Sequence, residues 1–219
     1  MTVGPTYYTD AATVPLSRER PLLIVDADEV LLRFADGFNR FLLARGFFLD
    51  FVSYRLHGNV KRSDDGVPLL DIEVTGLLDV FREELDSLEA TAHSADVIAG
   101  LRPQLDAVVL SNVTQAQALP RLRNLAALGF DMPLVVNGGP KGPAVKALAQ
   151  RAGRPVFFVD DISVHHASVA ELAPDVLRIH MVADERLKPL MPTSPHAHIR
   201  ADNWRDAEAF IREKISSVA

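Results

Sequence analysis

PLLIVDADEVL, residues 21–31, decides the fold: an apolar run, PLLIV, drives straight into Asp26, Asp28 and Glu29. A short continuous apolar run bounded by polar residues reads as a strand buried on both faces, as a parallel sheet requires. Similar runs recur at DAVVL (106–110), PLVV (133–136), PVFFV (155–159) and DVLRIHMV (175–182). Helical patterns separate them at AQALPRLRNLAALG (116–129), GPAVKALAQRAG (142–153) and VHHASVAELA (164–173). A last helix is expected over 203–217, starting near Asp202 or Asn203. Strand and helix alternating in this way predict right-handed crossovers. The expected fold class is α/β, a Rossmann-like doubly wound parallel sheet covered by helices on both faces.

Residues 34–100 follow another pattern. FADGFNRFLLARGF carries apolar residues at 34, 38, 41, 42 and 43, which predicts an amphipathic helix ending at Gly46. HGNVKRSDDGVP (57–68) reads as a polar turn region, LLDVFREELDSL (77–88) resumes helical spacing, and Ser94 is placed to cap one more helix. The expected division is an N-terminal extension over 1–20, an α/β core over 21–33 and 101–219, and a small, mostly helical insert over 34–100.

The chain has 219 residues, 48% of them hydrophobic and 24% charged, enough for a full core in a soluble protein. A formal net charge of -6 argues against a general nucleic-acid binder or a binder of anionic membranes. Cysteine is absent, which excludes disulfides, thiolate metal sites and a cysteine nucleophile. No apolar core of a signal peptide appears in residues 1–20, and no uncharged apolar run reaches the length of a membrane span. The expected location is the cytoplasm; the oligomeric state is left open.

The chemistry lies just after the strands. The first ends in Asp26-Ala27-Asp28, the second in Ser111-Asn112, and the fourth in Asp160-Asp161; Lys141 stands shortly after the third. In an open parallel sheet, ligands bind at the carboxyl ends of the strands, so these residues are expected at one edge. Four aspartates in one crevice would repel one another without a cation, and hard oxygen ligands favour magnesium over zinc. Ser111 and Lys141 supply a hydroxyl donor and a compact positive charge suited to a phosphoryl group, with Asn112 and the following helix amides beside them.

Together these segments resemble the haloacid dehalogenase-like superfamily, whose four motifs appear in order over 21–165: Asp26-x-Asp28-x-Val30-Leu31, Ser111, Lys141 and Asp160-Asp161. The resemblance implies that Asp26 is the nucleophile, forming an aspartyl phosphate, and that Asp28 is the general acid and base. It implies Mg2+ held by Asp26, the backbone carbonyl of Asp28, Asp160 and Asp161. Ser111, Asn112 and Lys141 would bind the phosphate. The insert then corresponds to a helical cap between the first and second motifs, closing over a small phosphorylated metabolite. Asp28 favours phosphoryl chemistry, because displacing halide from carbon leaves no alkoxide to protonate.

The sequence also departs from the family pattern. Glu29 stands where glycine is common, and the simplest expectation is a side chain turned to solvent. Val159 precedes the aspartate pair where glycine often stands, and His165-His166 begin a helix. Arg55, His57, Lys61 and Arg62 are the cap's candidates for substrate contact, each equally readable as part of a solvated turn. His196 and His198 have the spacing of a metal pair but lie in a proline-rich loop without a third ligand. The leading function is therefore a magnesium-dependent phosphomonoesterase. A non-catalytic binding or regulatory module and, behind it, a haloacid dehalogenase are the alternatives.

Overall fold

The computed structural model describes residues 6–217. Seven parallel strands form the main sheet: β1 (Tyr7–Tyr8), β2 (Leu22–Val25), β5 (Asp106–Ser111), β6 (Leu134–Val136), β7 (Val156–Asp160), β8 (Leu177–Met181) and β9 (Ile199–Ala201). Their order is β1-β6-β5-β2-β7-β8-β9. The five apolar runs are all strands, and β2, buried along its whole length, is central. From β2 the chain moves to β5 and β6 on one side, then returns to β7, β8 and β9 on the other. That reversal opens a crevice at the carboxyl ends of β2, β5 and β7.

Alternate residues of the central strands face opposite layers. Leu23, Val25, Val109, Phe157 and Val159 join one buried cluster with Leu125, Trp204 and Ile211. Those last three come from α4 (Gln115–Ala127) and α7 (Trp204–Ser216). Leu22, Ile24, Val108, Leu110 and Phe158 join the other with Val145 of α5 (Gly142–Ala149) and Val169 of α6 (Ser163–Leu172). Asn203 caps α7, its Oδ1 accepting from the Asp206 amide at 3.0 Å. Among the described residues no helix is long and apolar enough to cross a membrane.

Two segments differ from expectation. The N-terminal stretch, read as an extension, contributes the edge strand β1, with Tyr7 and Tyr8 paired to Leu134 and Val135. Val14 is wholly buried, and its carbonyl accepts from Arg151 at 2.8 Å. The insert between β2 and β5 holds three helices, α1 (Phe34–Leu43), α2 (Asp71–Phe81) and α3 (Ser94–Leu101), but also an antiparallel hairpin, β3 (Phe47–Leu49) with β4 (Val60–Arg62). β4 lies inside the stretch read as a polar turn. Three residues with two polar side chains give no periodic signal strong enough to mark a strand.

Candidate active site

Asp26 leaves the end of β2, Ser111 ends β5, Asp160 ends β7 with Asp161 next to it, and Lys141 precedes the first turn of α5. All five side chains are buried. Lys141 Nζ lies 2.5 Å from Asp26 Oδ1 and 2.7 Å from Asp160 Oδ2, so one ammonium ties two strand ends together. Its reach depends on Gly142: a Cβ there would meet Ser168 Oγ at 2.3 Å and the Ser168 carbonyl at 2.4 Å. Only a residue without a side chain lets α5 sit that close to α6 and hold Lys141 over the crevice.

Electrostatics are severe at this point. Burial raises the Asp26 carboxyl above its ordinary range, Lys141 opposes that, and Asp160 adds to it. Asp161 is pushed well above its ordinary value, first by burial and then by Asp160 and Asp26. Burial alone would depress Lys141, but Asp160 and Asp26 outweigh it and its pKa is raised. One ammonium thus faces three buried carboxylates, an arrangement short of positive charge.

The donor set fits a hard divalent cation. One oxygen from each of Asp26, Asp160 and Asp161 lies within 4.8 Å of the others. Asp160 has both oxygens engaged, Oδ2 by Lys141 and Oδ1 by the Ile162 amide at 2.8 Å. The Asp161 carboxylate has no hydrogen-bond or ion-pair partner among the described residues. An orphaned buried carboxylate beside two others is what an oxygen-coordinated cation would satisfy. Ser111 Oγ, buried and without a hydrogen-bond partner among the described residues, is likewise placed to meet an anion.

Two buried histidines brace the aspartate pair from behind. His166 Nε2 donates to the Asp160 carbonyl at 2.9 Å and His180 Nε2 to the Asp161 carbonyl at 2.8 Å. His180 Nδ1 accepts from the Ser194 amide at 3.1 Å, which fixes its tautomer. Burial pushes His166 down to about 3, so it is neutral in the folded protein. Its neighbour His165 lines the cavity instead.

Asp28 and Asn112 occupy the site differently from the other predicted residues. Asp28 lines the cavity, but its Oδ1 lies 2.7 Å from Arg121 Nη2 rather than in the carboxylate cluster. Arg121, on α4, is fully buried. The pair is close in distance but out of hydrogen-bond alignment, since neither atom completes a hydrogen bond. Asn112 spends its side chain joining loops: Nδ2 donates to the Gly139 carbonyl at 3.0 Å, and Oδ1 accepts from Asn137 Nδ2 at 2.7 Å.

Arg121 was not among the residues picked out by the motifs. A signal existed, because Ala118, Leu122 and Leu125 set the inward face of α4 and Arg121 falls on it. A cation on an apolar face calls for a buried acid.

Glu29 does not turn to solvent. Its backbone φ is +58°, the left-handed region that makes glycine common at such a turn. Its Oε1 accepts from the Ala35 amide at 2.6 Å and so caps α1. Burial pushes the Glu29 carboxyl up to about 8, with Asp184, Asp28 and Asp36 contributing.

The folded state therefore holds a proton that the unfolded chain releases above its ordinary value of 4.5. The stability from this group is complete below that value and lost as the pH rises towards 8. Glu29→Gln keeps the capping oxygen and carries no charge. In chelator it is expected to match the parent near pH 4.5 and to exceed it by about 3 kcal/mol above pH 8. Melting curves across that range check this; a gap that does not widen with pH overturns it.

The cap candidates lie elsewhere. Lys61 Nζ pairs with Asp50 at 2.6 Å, Arg62 sits 3.8 Å from Asp65, and His57 Nε2 meets Thr75 Oγ1 at 3.0 Å. The Arg55 guanidinium lies 6.0 Å from the Tyr54 ring centre. None of the four lines the cavity; Phe34, Ala35, Phe51, Tyr54, Leu56 and Arg82 do so from the insert. At the other histidine pair, His198 Nδ1 accepts from the Arg178 amide at 3.0 Å, and the His196 backbone carbonyl accepts from Arg178 Nε at 2.6 Å.

No family model and no curated protein matches the sequence. Solved structures do match. A conserved haloacid dehalogenase-like protein of unknown function from Agrobacterium tumefaciens aligns with TM-score 0.58 and 16% identity, over 89% of this chain and 98% of that one. The hydrolase YfnB from Bacillus subtilis, bound to magnesium, aligns with TM-score 0.56 and 16% identity, over 89% and 99%. The defluorinating L-2-haloacid dehalogenase Rha0230 aligns with TM-score 0.58 and 14% identity, over 90% and 100%. At such identities the likeness is one of architecture, and on that ground the chain has the haloacid dehalogenase-like fold.

Proposed function

We propose that this protein is a magnesium-dependent hydrolase that splits a small phosphate monoester through a phosphorylated Asp26. The observation carrying this reading is the Lys141-centred cluster, in which Asp26 and Asp160 share one ammonium, Asp161 lies in the same carboxylate group, and Ser111 Oγ has no hydrogen-bond partner among the described residues. Asp26, Asp160 and Asp161 would hold the cation, with the Asp28 carbonyl completing the set, and the ion would neutralise the carboxylates and polarise the phosphoryl oxygens.

Lys141 holds Oδ1 of Asp26, which leaves Oδ2 to attack phosphorus in line. Ser111 and Lys141 bind the non-bridging oxygens and stabilise the charge they gain. As the P–O bond to the alcohol breaks, Asp28 gives the departing oxygen a proton. It then takes one from the water that hydrolyses the aspartyl phosphate. To do so Asp28 must turn from Arg121 towards the cavity it already borders.

The hold of Arg121 on Asp28 favours one second reading, hydrolysis of a carbon–halogen bond, which needs no proton for its leaving group. Two assays separate the readings: phenyl phosphate with Mg2+ or chelator, and 2-chloropropionate under the same conditions. Phosphatase activity that needs Mg2+ and falls by about 10⁴-fold or more in Asp26→Asn is expected. Halide release unaffected by chelator would transfer the assignment to the dehalogenase. No turnover of either compound by folded protein would leave a binding module.

A further inference from the structure

Resting on the phosphatase reading, we infer that the substrate is a phosphate monoester whose alcohol is a compact apolar body, not a polyhydroxylated sugar. The cavity that borders Asp26, Asp28 and Lys141 has a volume of about 250 Å³. Beyond its charged floor the wall is more apolar than polar. Ile162 comes from the core side, Phe34, Phe51 and Leu56 from the insert, and Leu187 and Met191 from the loop after β8. Phe51 packs on the buried cluster containing Leu187 and Met191, so insert and core meet through apolar contact at the rim.

The polar groups on that wall are few and partly committed. Asn112 is engaged by Asn137 and Gly139. Glu29 already accepts from the Ala35 amide. The Arg82 guanidinium lies 3.7 Å from Asp79. Arg82, partly exposed and only loosely paired, remains with Tyr54 and His165, three side chains against the several hydroxyls of a hexose. A hydroxyl taken from water into such a cavity without a partner is disfavoured, whereas an apolar body of the same shape gains by the transfer.

The test compares two esters of primary alcohols with similar shape, cyclohexylmethyl phosphate and glucose 6-phosphate, with phenyl phosphate as a control for turnover, all in Mg2+. A kcat/KM about 100-fold higher for cyclohexylmethyl phosphate is expected. Phe51→Asn is expected to shrink that ratio about tenfold while the folded fraction is unchanged by circular dichroism. Turnover of phenyl phosphate without preference between the two alkyl esters overturns this inference and leaves the phosphatase reading standing. Preference for glucose 6-phosphate overturns it likewise. Failure on all three esters overturns both.

Discussion

Lys141→Met is expected to lower the melting temperature by about 10 °C at pH 8 in chelator and to remove measurable turnover. The ammonium is buried and lies 2.5 Å from Asp26 and 2.7 Å from Asp160. Removing one partner of a buried ion pair costs about 3–5 kcal/mol, because the remaining charge keeps its desolvation penalty and loses its compensation. Here two carboxylates are left, with Asp161 beside them. Asp26 and Asp161 can escape by taking a proton, since both already have raised pKa values with Lys141 in place. A group with a raised folded pKa stabilises the fold at low pH and loses that contribution as pH rises. The deficit is therefore expected to be small near pH 5 and full near pH 8. Added Mg2+ should raise the melting temperature of the variant more than that of the parent, since it supplies the missing positive charge. Melting curves at two pH values, with and without Mg2+, check this. A deficit independent of both pH and Mg2+ would mean that packing, not charge, is what Lys141 supplies.

The same charge logic shows which parts of this molecule the sequence discloses. The central strands are legible because a strand buried on both faces must be apolar at every position, as Leu22–Val25 and Val156–Val159 are. Edge strands carry no such demand. Tyr7–Tyr8 and Ile199–Ala201 are two and three residues long and partly exposed, so nothing in their composition sets them apart from loops. Asp26, Lys141, Asp160 and Asp161 are legible as a group because each follows a recognisable strand, and strand ends converge whatever the loops do.

The insert gives no such guarantee. Arg55, His57, Lys61 and Arg62 have the chemistry of substrate contacts, but each finds a neighbour within the insert, and the residues reaching the cavity are chiefly Phe51, Tyr54 and Leu56. Glu29 misleads for a related reason. A charge in a turn is usually solvated, but a left-handed φ and a free amide at the start of α1 draw this side chain inward.

Asp28 and Arg121 allow the sharpest separation of stability from chemistry, because the two ends of the pair are unequally buried. The Asp28 side chain is 33% exposed and the Arg121 side chain 0%. Asp28→Asn leaves the guanidinium without a counter-charge in a place water does not reach, and none of its three nitrogens has a hydrogen bond to fall back on among the described residues. A loss of about 3–5 kcal/mol is expected, together with loss of turnover. Arg121→Met leaves a carboxylate that can hydrate at the cavity wall, so a loss of about 1–2 kcal/mol is expected. Combining the two substitutions removes both charges, and the double variant is expected to be more stable than Asp28→Asn alone. Its activity should stay absent, because the proton donor is still missing. Urea unfolding of the three variants, with phenyl phosphate turnover measured on each, checks the argument. Strict additivity of the stability losses would show that the two charges do not interact. Turnover restored in the double variant would show that Asp28 is not the acid and that its mutation acts only by stranding Arg121.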